Sequence, residues 1–245
     1  MAESWAFEWG LQPYVARRDA FPPGYLSRVS KAIRESKYLA DNNLNYRFSG
    51  TLGYSVIFRD VGRARVLENF PEFDKYLERV LDPRCNAFFL NPLVTSEGAR
   101  VAPHVDRSLR SLTIPDEPPN PLKVSVLYVE VPSGMRGGRL ILYHRLLPLG
   151  WVTPRANLLV TFQGFLRHEV TRVSSDRPRI SLVCEQYVLD ERLYKRIPEF
   201  TVRSMSSFGL FFEAEMKRPS PQMTVAEKVT EEQKQALLQE GSQDG

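Results

Sequence analysis

RPRISLVCEQYV, residues 177–188, reads as a β-strand, because β-branched and apolar residues dominate it and no helical period runs through it. Side chains on a strand alternate between two faces, so Arg179 and Ser181 point one way while Ile180 and Leu182 point the other. Cys184 falls beside Leu182 as a small buried hydrophobe. A buried arginine is costly unless it is paired, so a strand that turns Arg179 and a hydroxyl into one cavity expects an anionic guest, with a carboxylate the best geometric match.

Working outward, the same texture begins at residue 86. NAFFLNPLV, KVSVLYVEV, GRLILYH, NLLVTFQG and RHEVTRV are short runs rich in β-branched and aromatic residues, separated by SEG, PDEPPNP, PSGMRGG and SSDRP. Short strands with turn signals between them argue for a sandwich or barrel rather than a parallel sheet with crossover helices. The expected fold is mainly β with flanking helices (α+β): a double-stranded β-helix, or jelly roll, over about residues 86–190.

Ahead of it, GYLSRVSKAIRESKYLA (24–40) and FPEFDKYLERVL (70–81) carry apolar stripes at helical spacing, which predicts two helices packed on one outer face. Residues 1–220 are expected to form one domain. From Val225 onward there are five acids against two lysines and few large apolar residues, which predicts a polar, flexible tail over 221–245. The long proline-rich segment 107–123 has the character of a binding loop or lid, and residues 41–62 are expected to help form a substrate rim. Trp5, Trp9 and Trp151 are expected as core or lid anchors.

Composition narrows the function. Two cysteines 99 positions apart (Cys85, Cys184) make neither a disulfide framework nor a cysteine zinc site, and point to a reducing compartment. There is no secretory-type start and no apolar run approaching ~18 residues, so a cytoplasmic location without membrane association is expected. A net charge of +4 is too small to argue for nucleic acid without a clustered basic face. Arg100, Arg107, Arg110 and Lys123 read as solvated loop charges.

The chain has three histidines, and PHVDRS (103–108) spends one of them two places before an aspartate. On a strand, His104 and Asp106 would share a face and converge on one cation. The third ligand must come from His144 or His168. Two histidines and a carboxylate leave three positions open on six-coordinate iron, although the same set could hold zinc.

In order, PHVD, GGRLILY, HEVTRVSS and RIS resemble the iron(II)- and 2-oxoglutarate-dependent oxygenases, particularly their prolyl-4-hydroxylase-like branch, over about residues 86–190. The resemblance implies that His104, Asp106 and His168 bind Fe(II). It further implies that Arg179, helped by Ser181 and Tyr128, binds the far carboxylate of 2-oxoglutarate, with Asn91 facing the cosubstrate. His144 then reads as a strand-end histidine. The cofactors implied are Fe(II), 2-oxoglutarate and O2, with ascorbate as reductant. The implied reaction is hydroxylation of a C–H bond with decarboxylation of 2-oxoglutarate to succinate.

Two places depart from the family pattern. Arg139 follows Gly137-Gly138 where relatives carry an acid, and the eleven residues from His168 to Arg179 leave Arg177 as a rival clamp. Arg179 is preferred because it has a hydroxyl two places on. The implied partner is a substrate: a prolyl or other residue of a protein or peptide, or else a free small molecule. A non-catalytic jelly-roll module is the alternative of another class. Nucleic-acid demethylation is disfavoured, since relatives with that activity carry an arginine six places beyond the clamp, where this chain has Glu185.

Overall fold

The computed structural model describes residues 14–41, 48–112, 119–206 and 212–213; Trp5, Trp9 and the tail over 221–245 lie outside them. The chain opens with β1 (Tyr14–Arg17) and helix α1 (Tyr25–Arg34). Three strands follow: β2 (Ala40–Asp41), β3 (Phe48–Gly53) and β4 (Ser55–Arg59). Helices α2 (Arg63–Asn69) and α3 (Asp74–Val80) then lead into the long strand β5 (Ala87–His104). After it come β6 (Lys123–Glu130), β7 (Arg136–Gly137), β8 (Leu140–His144), β9 (Leu147–Val152), β10 (Leu158–Gln163), β11 (Arg167–Val170), β12 (Val173–Ser174) and β13 (Arg179–Tyr187). The short helix α4 (Glu191–Tyr194), β14 (Phe200–Ser204) and β15 (Phe212–Glu213) complete the order.

All pairings are antiparallel, and the main path runs β1-β10-β6-β13-β5-β11-β8-β9. β5 carries the roll. Its first half pairs with β13 from Ala87 to Thr95, and its last residues pair with β11, so this one strand joins the two halves of a continuous sheet. The break between the halves is a bulge: Ser49 stands opposite Arg100 and Thr51 opposite Thr95, while Gly98 takes φ 76 in the left-handed region. SEG therefore bends a strand instead of ending it.

The alternation predicted for 177–188 holds along the sheet. Ile180, Leu182 and Cys184 of β13, Phe88, Leu90 and Val94 of β5, and Leu127 and Val129 of β6 face a core shared with the helices. The opposite face of β6, with Leu158, Val160 and Phe162 of β10, lines the inside of the roll. These strands read as nearly continuous apolar runs because both faces are covered.

Both predicted helices form, but shorter than expected. α1 buries Tyr25, Val29 and Ile33 and stops at Arg34; Tyr38 instead packs at a tilt against Tyr54 and Phe70 from the turn that follows. The second begins as a 3-10 turn over Pro71–Phe73 and becomes α-helical at Asp74. Of the segment expected at the substrate rim, residues 42–47 lie outside the described residues and 48–59 are mostly strand. The strands are β3 and β4, with Ser55–Arg59 buried against β5 and β14. Trp151 is 63% exposed on β9, which removes it from the core. Among the described residues, no helix is long and apolar enough to cross a membrane.

One buried hydroxyl ties the helical layer to the sheet. Tyr76 of α3 donates to the carbonyls of Ser125 (3.0 Å) and Leu182 (3.1 Å) on adjacent strands. Tyr76→Phe should cost about 1–2 kcal/mol by removing that donor. Thermal denaturation should then show a midpoint lower by about 2–8 °C for a chain of this size.

Candidate metal centre and carboxylate pocket

His168 on β11 stands directly opposite His104, the last residue of β5. The two rings lie 4.3 Å apart, and the edge of Phe162 closes on His168. Asp106 lies just past the strand end, so the shared face expected from His-x-Asp spacing is not its placement. It reaches the same point from the chain after β5, with Oδ1 3.1 Å from His104 Nε2 and Oδ2 3.4 Å from His168 Nε2. All three side chains are buried, and one ligand atom from each can be chosen so that all lie within 4.8 Å of one another.

The tautomers suit a cation. His104 Nδ1 faces the Ala102 carbonyl at 2.9 Å, and His168 Nδ1 faces the Leu166 carbonyl at 3.1 Å. A carbonyl only accepts, so each Nδ1 donates, and Nε2 is the ring atom that each histidine turns toward Asp106. Burial pulls the His168 pKa below its ordinary value, although the charge of Asp106 opposes this. Burial alone would raise the Asp106 carboxyl, but the two imidazoles outweigh it and hold it low. His144 is exposed at the end of β8, away from this group.

Arg179 is only 2% exposed, whereas Arg177 lies on the surface. Its Nη1 donates to the Gly138 carbonyl at 2.9 Å and its Nη2 to Thr95 Oγ1 at 3.2 Å, and the guanidinium sits 5.4 Å from the centre of the Tyr128 ring. Arg179 Nε and Ser181 Oγ are buried without any hydrogen-bond partner. Such orphaned donors are rare in folded proteins, and here two of them adjoin on one strand face.

Arg179, Ser181, Tyr128 and Asn91 line the same cavity as His104, Asp106 and His168. Val101, Val124, Val126, Phe162 and Val170 supply much of its apolar wall. The side-chain amide of Asn91 donates to the Tyr54 carbonyl at 3.0 Å, so part of its capacity is spent on the sheet. Among the basic residues expected as loop charges, Lys123 pairs with Asp82 and Arg107 donates to Asn120.

Sequence reasoning missed Thr95, Ser108 and Glu185 as site residues. Glu185 was legible: the alternation that joins Arg179 to Ser181 continues through Val183 to Glu185, which lines the far end of the cavity and is 3% exposed. Burial, with the nearby charge of Asp106, pushes its carboxyl up to about 8.

The architecture recurs in solved structures. A Pseudomonas putida prolyl-4-hydroxylase matches with a TM-score of 0.52 and 18% identity, over 78% of this chain and 100% of that one. A Trichoplax adhaerens prolyl hydroxylase, solved with a peptide fragment of the hypoxia inducible factor oxygen degradation domain, gives 0.53 and 14%, over 77% and 89%. An oxidoreductase of the 2OG-Fe(II) oxygenase family from Burkholderia pseudomallei gives 0.50 and 12%, over 76% and 91%. No protein-family model and no curated protein matches the chain. The jelly roll is thus the fold of these oxygenases; fold alone does not carry activity.

Gly138 is part of the pocket's construction. Its φ is 64, and an added Cβ would lie 3.2 Å from Arg179 Nη1. Gly138→Ala should destabilise the protein by about 1–2 kcal/mol from the left-handed backbone alone. A lower urea midpoint would report it.

Proposed function

We propose that this chain is an Fe(II)- and 2-oxoglutarate-dependent dioxygenase that hydroxylates a C–H bond. The observation that carries the reading is one buried cavity holding both the His104, Asp106, His168 set and the orphaned donors of Arg179 and Ser181. A structural zinc site would account for the first and leave the second unexplained.

In this reading His104 Nε2, His168 Nε2 and an Asp106 oxygen would hold Fe(II). Arg179, with Nε free and Ser181 beside it, binds the distal carboxylate of 2-oxoglutarate, and the Tyr128 hydroxyl adds a donor at that end. The apolar wall excludes water, and Asn91 shapes the side of the cavity next to β4. Bound iron, with 2-oxoglutarate and O2, supplies the oxidising chemistry: decarboxylation to succinate and carbon dioxide, coupled to transfer of one oxygen atom into the substrate C–H bond.

The peptide-bound Trichoplax adhaerens enzyme supports a prolyl or other residue of a protein or peptide as the substrate. Two buried free thiols, Cys85 and Cys184, fit a reducing compartment, and ascorbate is the reductant we propose.

The test is an anaerobic titration with Fe(II) and 2-oxoglutarate, followed by the visible charge-transfer band of the chelated cosubstrate. Wild type should develop the band and Asp106→Ala should not. Arg179→Ala should require roughly 10- to 100-fold more 2-oxoglutarate, as expected for losing hydrogen bonds to a charged group. A folded wild-type protein with no band under excess metal would leave the non-catalytic jelly-roll module as the reading.

A further inference from the structure

Asp106 has an unusual problem of placement. The last backbone pair of β5 is His104 with His168, and the chain leaves the sheet before Asp106. Its carboxylate must nevertheless present one oxygen to each histidine, so something beyond the ladder has to set its direction.

Arg107, next in the chain, donates outward to Asn120, and Ser108 makes the contact that reaches β13. The Ser108 backbone N–H donates to Glu185 Oε2 at 3.2 Å, and Ser108 Oγ donates to Glu185 Oε1 at 2.5 Å. Tyr187, two places along β13, donates its hydroxyl to Oε2 and so orients the acceptor. The next residue, Leu109, is fully buried in a small core with Ile57, Ala87, Phe89 and Tyr187, which holds the other side of the 3-10 turn Ser108–Ser111. The turn following Asp106 is therefore pinned to β13, whose other end carries Arg179.

An acid buried in an apolar wall is costly, and the donors that compensate Glu185 come largely from the Asp106 segment. From this geometry we propose that Glu185 is a positioning residue: through Ser108 it fixes the Asp106 carboxylate against His104 and His168. The inference rests on the metal reading of that triad and goes beyond it, since nothing in the ligand set requires an acid at 185.

The experiment is a titration of the full chain with Co(II) alone, reading both affinity and the visible ligand-field spectrum, with thermal midpoints measured beside it. Glu185→Gln and Ser108→Ala should each weaken Co(II) binding by about 10- to 100-fold, the usual cost of removing an outer partner of a metal ligand, whereas Ser108→Thr, which keeps the hydroxyl, should stay within about threefold of wild type. The double variant should lose no more than the more severe single one, because the two groups act as one unit.

Wild-type affinity and spectrum in both Ser108→Ala and Glu185→Gln would overturn the proposal, and so would losses that simply add. If Glu185→Gln fails to fold, Ser108→Ala against Ser108→Thr decides. Wild type that takes up no Co(II) would sink the metal reading and this inference with it. Normal Co(II) behaviour without a 2-oxoglutarate band would sink only the oxygenase reading.

Discussion

Antiparallel pairing of β11 with the end of β5 is the constraint on which the centre depends. It sets His168 opposite His104, two residues 64 positions apart in the chain. Because strand side chains alternate, a slip of one residue in that ladder would turn His168 to the other face and dissolve the pair. The bulge at Gly98 lets β5 bend from its pairing with β13 to its pairing with β11 within one curled sheet. Neither histidine needs a specialised loop; each is held by backbone hydrogen bonds that the sheet makes anyway.

β13 imposes the second constraint. One of its faces is apolar and seals the helical core, and the other turns Arg179, Ser181, Val183 and Glu185 into the roll. A strand built only for stability would carry no charged group on either buried face. This one carries a cation at one end and an acid at the other, and pairs neither with an opposite charge. The acid is met by hydroxyl and amide donors, and the arginine keeps a donor in reserve. Local choices that oppose burial, held in place by a sheet paired on both edges, are where function is expected to concentrate. The glycine beside Arg179 belongs to the same arrangement, since its carbonyl accepts from the guanidinium and its missing Cβ leaves the space.

How legible this was depended on whether the signal was local. The runs at 123–131, 157–164 and 177–188 announced strands because both faces of each are apolar apart from the site residues. The strands β3 and β9 gave no such signal: Gly50 and Gly53 interrupt one, and Pro148 and Gly150 the other. Their strand character comes from neighbours with free hydrogen-bonding edges, a tertiary override of weak propensity. The helix expected over 24–40 stops at Arg34 because the aromatic cluster of Tyr38, Tyr54 and Phe70 needs the chain to turn there. Trp151 misled for the opposite reason, since a large aromatic in a strand-like run suggests burial and this one faces outward.

What the sequence determined by itself was the class of fold and the chemical types at the centre. Period-two alternation is a property of the backbone and can be read from a string, so Arg179 with Ser181, and the turning of both away from Leu182, needed no coordinates. Only the tertiary structure decided that Asp106 acts from beyond its strand, that His168 and not His144 completes the cluster, and that Glu185 reaches back to Ser108. Those facts depend on which strand edges meet and where each ladder ends. Such long-range pairings are chosen by the free energy of the whole sheet, and no local stretch of sequence contains them.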